Sequence, residues 1–477
     1  MFKRVLKAEL SLLMRERSFW FGLVILTLTT AVALFGGASW LTAEREKAHE
    51  SLGLYEESLQ GLRQEAGEFE RTGAARYASF GGADPGYVAN RGLGTLAFLP
   101  LPSAAALAVG QSDLFPGTVH VSGRSPHMFI DKEDIRNPLL LAFGVFDLAF
   151  VIIFILPIVT LAISYNLLTQ DREDGTLAFI MAQSTSLPAI AAGKLCIRGL
   201  LLFALVVVLL AVAFLSTGQA LFTADGFGRF LLWCAFCLAY GFFWLAISFA
   251  LNSFLKSSNT AALAVASLWL VLVVVVPSLI NSIAGATYPP PSRAEMITVL
   301  QEARREADIR RAEAMAQYYM DHPDLVTDGS DPSYGFWTRL TAVDSLSYQA
   351  AQPIIGQFQQ QLSRQQSTVD VLAFLSPAIL MQEALNRISG TDRSRHARFR
   401  AQVLAFHEQW RAFFLPRVAA GTKLTSGDYD LFPRFSFKEQ SLAALAAGLI
   451  PLMLGILAVT GVLVWVAFRN LGRYRMA

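Results

Sequence analysis

The sequence predicts an α-helical integral membrane protein with six spanning helices and two long, mainly helical insertions. Its 477 residues are 54% hydrophobic and only 16% charged, and the mean hydropathy is +0.44. This composition is too apolar for an ordinary soluble enzyme. The formal net charge of +2 provides no basic field that would attract nucleic acid.

Each predicted span is a window that is nearly free of charge and close to the length of a membrane-crossing helix, about 20 residues. Only the second window contains an acid, Asp147. The windows cover residues 19–41, 139–163, 200–215, 230–251, 261–284 and 442–468, so that the segment 196–284 holds the third, fourth and fifth spans. An even number of spans places both ends of the chain on one side of the membrane.

Residues 1–18 combine apolar and basic side chains in the pattern of an amphipathic helix on the membrane surface. A cleaved signal peptide is the weaker alternative for this basic start and the first window. The apolar run begins only after Arg15 and Arg17, and it is too long for a signal core. We therefore expect the first window to remain as an anchor.

The distribution of Lys and Arg favours chain ends in the cytoplasm. Residues 1–18 and the tail 469–477 are rich in these residues and the loop 164–195 holds Arg172 and Lys194, whereas the short loop before the fourth span holds only Arg229. The long segments 42–138 and 285–441 also carry Lys and Arg near the spans, which reduces the difference in Lys and Arg between the two sides of the membrane. We expect a multi-pass protein of the bacterial cytoplasmic membrane, with both long segments outside the cytoplasm.

Both insertions should be folded and mainly helical. Helical runs are predicted at residues 43–71, 292–319, 371–388 and 395–414. In the last run, Val403, Phe406 and Trp410 recur at helical spacing, and we favour an ordinary helical core over a substrate-binding stripe. All three cysteines lie in or beside the spans, so packing must hold the insertions together without disulfides.

The sequence contains no motif for catalysis or for ATP binding. Gly193-Lys194 lacks the upstream glycine and the following Ser or Thr of a phosphate-binding loop. There is no Gly-x-Ser-x-Gly elbow, and the six histidines lack the spacing of metal ligands. We expect this chain to have no enzyme activity and to hold no cofactor or metal.

A polar island between the second and third spans is the most informative motif. It reads Asp171-Arg172-Glu173-Asp174-Gly175-Thr176-Leu177, and Ser186-Leu187-Pro188 and Gly193-Lys194 follow it. The island resembles the first cytoplasmic loop of ABC transporter permeases of the ABC-2 type, which show E-R-E-x-G-T-L, a short S-x-P-like element and G-K. Asp171 stands where Glu is usual, which keeps the charge and shortens its reach.

Other stretches resemble an ABC-2 subfamily with six spans and two long extracytoplasmic insertions, similar in plan to permeases of gliding-motility and copper-maturation transporters. These stretches are 110–116, 137–138, 144–150, 156–157, 164–168 and 375–377. The resemblance implies a six-helix ABC-2 type transmembrane domain and the permease subunit of a transporter, more often an exporter. It also implies an ABC ATPase subunit, which would bind ATP and magnesium, and a second permease copy or a sibling permease.

The island also suits docking on physical grounds. Asp171, Glu173 and Asp174 would be favourable near the positive end of a short helix, and Gly175 lets the chain turn closely. Leu177, with the apolar residues 179–181, would offer a docking surface. The alternative is a solvated connector without a partner.

Two further alternatives stay open. Asp147 lies near the outer end of its window, where a structural contact at an outer gate and a role towards substrate or protons are equally supported. The large insertions would also suit a mechanotransmitting or scaffold subunit that drives periplasmic domains, with a possible periplasmic partner, without moving cargo across the membrane. In either case membrane lipid surrounds the spans.

Overall fold

The computed structural model describes residues 9–73, 80–92, 94–110, 112, 115–126, 145–176, 187–218, 221–289, 293–310, 313, 316, 320 and 332–473. Within these ranges, six helices are long and apolar enough to cross a membrane. Spans 1 to 6 are Arg17–Thr72, Leu148–Glu173, Leu187–Ser216, Ala224–Phe254, Ser258–Thr287 and Leu442–Gly472. The chain is therefore an α-helical multi-pass membrane protein, as its composition predicts.

Span 1 continues without a break into the first insertion. Its 56 residues correspond to about 84 Å of helix, far more than a membrane requires. The predicted boundary at residues 41 and 42 is therefore not a structural break, because the charged residues that follow lie on the same proline-free helix. The helix ends at Gly73, whose φ of 63° is typical of a left-handed C-cap.

Spans 2 and 5 share an irregularity in the middle of the membrane window. Span 2 has a π-helical segment at Val151–Ile155 and span 5 has one at Val271–Val275. In each case a proline, Pro157 or Pro277, lies two residues after the segment. Proline has no N–H to donate and its ring clashes with the preceding turn, so the helix widens there.

Neighbouring side chains satisfy carbonyl groups in both π-helical segments. The Tyr240 hydroxyl donates to the carbonyl oxygen of Ile153, four residues before Pro157, at 3.0 Å. The Ser376 hydroxyl donates to the carbonyl oxygen of Leu272 at 2.9 Å. Both carbonyls lie within a membrane span, where an unsatisfied polar group is costly.

The two insertions form one core on the same side of the bundle, which we call the insertion side. Strands β1 (Thr95–Phe98) and β2 (Thr118–Val121) form an antiparallel pair. The helix Arg393–Ala419 packs against them and against Leu62 of span 1. Val403, Phe406 and Trp410 are buried in this core, which confirms their predicted packing role. The short strands were not predicted. The smaller elements of the insertions are Pro85–Tyr87, Val88–Gly92, Ser103–Ala106, Arg293–Ile309 and Asp428–Asp430.

The second insertion bends back into the bundle at an elbow around Ser376. The long helix Pro332–Leu372 ends in the turn Ala373–Leu375, and a second helix, Pro377–Ser389, leaves at 117°. The single helix predicted over 371–388 is therefore wrong, since the residue before a proline is disfavoured in a helix. At the elbow, Phe374 packs on Gly455 of span 6, where an added Cβ would lie 2.9 Å from the ring.

Candidate functional site

The predicted coupling segment lies at the end of span 2, on the side opposite the insertions, which we call the loop side. The chain turns over residues 165–168 and then forms the short helix Thr169–Glu173. Thr169 is fully buried, whereas Glu173 and Asp174 are exposed. The segment therefore has an inner face against the spans and an outer face free of protein among the described residues.

Asp171 belongs to a buried ionic cluster that also contains Glu9, Lys194 and Arg198. The Lys194 ammonium lies 2.7 Å from an Asp171 carboxylate oxygen and 3.7 Å from Glu9. All four side chains are at least 85% shielded from solvent, with exposed fractions of 15% or less. The cluster joins the segment before span 1, the end of span 2 and the buried face of span 3.

Arg198 makes most of the hydrogen bonds in this cluster. Its Nε donates to Glu9 at 2.8 Å, and its Nη2 lies 2.7 Å from the same carboxylate oxygen. Its Nη1 donates to the Asn166 side chain at 3.1 Å and to the carbonyl oxygen of Ile163. A planar guanidinium suits such a set of acceptors better than a lysine would. Arg198 thus links span 3 to the end of span 2 and to the amino-terminal segment.

Arg172 and Glu173 hold the ends of two further spans. The Arg172 Nη1 donates to the carbonyl oxygens of Asn252 at 3.1 Å and of Leu255, at the end of span 4. The Glu173 carboxylate accepts from the Ser258 backbone N–H at 2.8 Å and from its hydroxyl at 2.6 Å, at the start of span 5. A cation at a helix carboxyl end and an anion at an amino end both complement the helix dipole.

Asn252 completes the connection between the segment and span 4. Its amide nitrogen donates to the carbonyl oxygen of Tyr165 at 2.8 Å, and its amide oxygen accepts from the Leu168 N–H at 3.2 Å. These bonds hold the turn that separates the two helical parts of span 2. The turn, the short helix and span 4 are thereby fixed to one another through buried polar groups.

The structure changes the role expected for the acids of the motif. Asp171 and Glu173 both make contacts within the chain, and of the two only Glu173 is also exposed. Asp174, Gly175 and Thr176 are exposed, and Gly175 has a φ of +69°, which favours glycine. Leu177 and the predicted apolar surface at 179–181 lie outside the described residues.

The helix of span 3 begins at Leu187, within the predicted loop 164–195. Lys194 is therefore buried two turns inside this helix. Glu9, Arg198 and Asn252 were not predicted to belong to the site. For Glu9 and Arg198 a signal existed, because a charge that faces the inside of a membrane bundle needs a partner.

Asp147 caps span 2 rather than lying within it. Its carboxylate accepts from the backbone N–H of Phe150 at 2.8 Å and of Val109 at 2.8 Å, and the residue is 5% exposed. The Leu107 carbonyl oxygen accepts from Ala149, which joins the same two segments. Of the two alternatives for Asp147, these contacts favour the structural one.

Among the described residues, no group of three or more His, Cys, Asp and Glu side chains could hold a metal ion.

Residues 293–438 match a family described as a domain of unknown function (DUF3526). The match covers the second insertion, including the elbow and the helix Arg393–Ala419, and less than a third of the chain. The search of curated proteins finds no match.

Proposed function

We propose that this chain is the permease subunit of an ATP-driven transporter of the ABC-2 type. A partner ABC ATPase, which binds ATP and magnesium, docks at residues 171–177, and a second permease copy or a sibling permease completes the transporter. One observation carries the proposal: the segment that resembles the coupling loop of such permeases is held by side chains to spans 3, 4 and 5. A force applied there reaches the whole bundle.

The contacts of the segment suggest how the force is distributed. Arg172 and Glu173 lie next to each other and hold the end of span 4 and the start of span 5. Movement of the segment would therefore move the ends of spans 4 and 5 at the same time. Through the ion pair of Asp171 with Lys194 it would also move span 3. Spans 2 and 5 contain the proline-linked π-helical segments, which are places where a helix bends most readily. Bending at mid-membrane would change the path between the spans.

The exposure of the spans supports pairing with a second permease. Within their most apolar windows, spans 5 and 6 are only 17% buried in the chain, whereas spans 2 and 4 are 67% buried. A second subunit would cover part of that surface and lipid the rest. The excess of Lys and Arg on the loop side supports a cytoplasmic position of the chain ends and the segment, where a soluble ATPase of a bacterial cell would reach them.

The test is co-purification of the chain with ATPases from its native membrane. The informative variant combines Asp174→Arg with Leu177→Asp, because Asp174 is exposed and its side chain makes no hydrogen bond or ion pair with the described residues. Glu173 is unsuitable, since its replacement would also loosen span 5. Phe222→Asp is the control, because Phe222 is 99% exposed on the insertion side.

We expect an ATPase to accompany the wild type and the Phe222→Asp control, and to be lost from the double variant. If no ATPase accompanies the wild-type chain, the proposal is refuted. If an ATPase remains bound to the double variant as firmly as to the wild type, docking on residues 171–177 is refuted.

A mechanotransmitting subunit is the second candidate, and the continuity of span 1 favours it. A single helix runs from Arg17 on the loop side to Thr72, and Leu62 and Ala66 near its far end are buried in the insertion core. Such a helix can carry movement from the membrane to the insertions without opening a path for cargo. Water access to the bundle separates the candidates: thiol labelling of Val274→Cys in span 5 should change with nucleotide in a transporter and stay constant in a transmitter.

A further inference from the structure

A small cleft lies on the insertion side, where spans 4 and 6 begin. Arg229, Arg387, Arg395 and Arg398 line it, together with Asp392 and Glu439. Its empty volume is about 290 Å³, including the open mouth. Its lining of charged side chains suits a charged group rather than an apolar one.

The cleft lies at the boundary of the membrane. Arg229 directly precedes the charge-free window 230–251 of span 4, and Glu439 lies three residues before span 6 begins at Leu442. The hydrocarbon core therefore starts next to the cleft, at the depth where lipid head groups lie. None of the observations that support the proposed function concerns this cleft, so the two can be tested separately.

Three of the four arginines are neutralised within the chain. Arg229 lies 2.8 Å from Asp225 and Arg387 lies 2.6 Å from Glu383. Arg395 pairs with Glu439. Each of the three also donates to backbone carbonyl oxygens. Arg229 donates to that of Ile388 and Arg387 to that of Gly448. Arg395 donates to those of Gly390 and Pro100.

Arg398 is the exception. Its Nη1 donates to the Ser394 hydroxyl at 3.1 Å, but its Nε is buried and has no hydrogen-bond partner among the described residues. No acid of the described chain lies within ion-pair distance of it. Asp392, the nearest acid in sequence, already accepts from the Arg395 N–H and from Ser394. Arg398 is therefore the arginine of the cleft whose charge no acid of the described residues neutralises, so an external anion would be stabilised next to it.

We propose that the cleft binds a phosphate group, with Arg398 as its main ligand and Arg387 at its side. Guanidinium groups bind phosphate oxygens through two parallel hydrogen bonds, and arginine is the side chain best suited to this geometry. The position at the membrane boundary identifies a phospholipid head group as the source. The same chemistry could also come from free phosphate, and the experiment separates the two.

The test measures lipid retention on the full-length chain in a neutral detergent by native mass spectrometry. Phosphatidylglycerol is the anionic probe. Phosphatidylcholine is the zwitterionic one. The variant is Arg398→Gln, and Arg393→Gln is the matched control. Arg393 is exposed on the same helix and does not line the cleft, and its replacement by Gln removes the same charge. Arg398→Lys keeps the charge without the planar pair of donors.

We expect the wild type and Arg393→Gln to retain phosphatidylglycerol in preference to phosphatidylcholine. Arg398→Gln should bind phosphatidylglycerol roughly ten-fold more weakly, the loss of one charge-assisted hydrogen bond, and Arg398→Lys should lie between. Equal binding by Arg398→Gln and the wild type would overturn the proposal, as would equal retention of both lipids by the wild type. Displacement of phosphatidylglycerol by excess inorganic phosphate would overturn the lipid source, whereas retention under that excess would support it.

Discussion

Breaking the Arg198–Glu9 pair should destabilise the bundle far more than breaking an ion pair on the surface. Replacing Arg198 by Met keeps a long apolar side chain in span 3 but removes both donors to Glu9, at 2.8 and 2.7 Å. The Glu9 carboxylate, 3% exposed, would then face only Lys194 at 3.7 Å. Because an uncompensated buried charge remains, we expect the free energy of unfolding to fall by about 3 kcal/mol.

Removing both partners should cost less than the two single changes added together. In Glu9→Met with Arg198→Met no unpaired charge remains between these positions, and the loss reduces to the hydrogen bonds that Arg198 makes with Asn166 and the Ile163 carbonyl. Hydrogen bonds of this kind contribute about 1 kcal/mol each. Because Arg198→Met alone costs about 3 kcal/mol and the double change about 2 kcal/mol, the double-mutant cycle should show a coupling energy above about 1 kcal/mol.

The chain provides a matched control pair. Arg63 and Asp430 also form two hydrogen bonds, at 3.0 and 2.6 Å, but their side chains are 45% and 60% exposed. Exposed pairs contribute less than about 1 kcal/mol. Unfolding by denaturant in micelles, followed by the fluorescence of the buried Trp233 and Trp244, measures both cycles. A coupling energy for Arg198–Glu9 no larger than that of the control would refute the reasoning.

Three further predictions follow from particular contacts. Gly37→Ala should destabilise the chain by about 3 kcal/mol, because the added Cβ would lie 1.8 Å from a backbone oxygen. Gly53→Ala on the same helix places its Cβ in open space and should be neutral or stabilising. Thermal unfolding compares the two variants, and equal effects would contradict the packing argument. Tyr240→Phe should cost about 1 to 2 kcal/mol by leaving the Ile153 carbonyl without its donor, which denaturant unfolding measures. Burial, with nearby arginines, lowers the pKa of His396 to about 4, so the neutral ring favours folding and the free energy of unfolding should fall by up to about 3 kcal/mol between pH 7 and pH 4; His396→Gln should flatten that dependence.

The spans could be predicted from the sequence because the membrane imposes a length and a composition that no other part of the chain meets. The lengths of the helices could not be predicted in this way. Charged residues after Leu41 end the apolar window but do not end the helix, so span 1 continues to Thr72. In the same way, span 3 starts at Leu187, because Lys194 and Arg198 find acids inside the protein.

The sequence predicts residues 171–177 as the candidate site, but it does not predict which residues contact this segment. The contacting residues come from distant parts of the chain: Arg198 and Glu9 are 189 residues apart, and Glu173 and Ser258 are 85 apart. Local pattern carries no information about such pairs. The strands β1 and β2 were missed for another reason, since four residues are too few to show a clear alternation.

The contacts of the motif separate two roles that its sequence combines. Asp171, Arg172 and Glu173 are used within the chain, to pair with Lys194 and to hold the ends of spans 4 and 5. Charge at these positions is therefore required whether or not a partner is bound. If the proposed partner docks here, Asp174 and the residues beyond it would recognise it, and it would meet a surface whose inner side is already fixed to the bundle. Under the proposed function, substitutions on the inner side should lower stability and coupling together, whereas those on the outer side should lower docking alone.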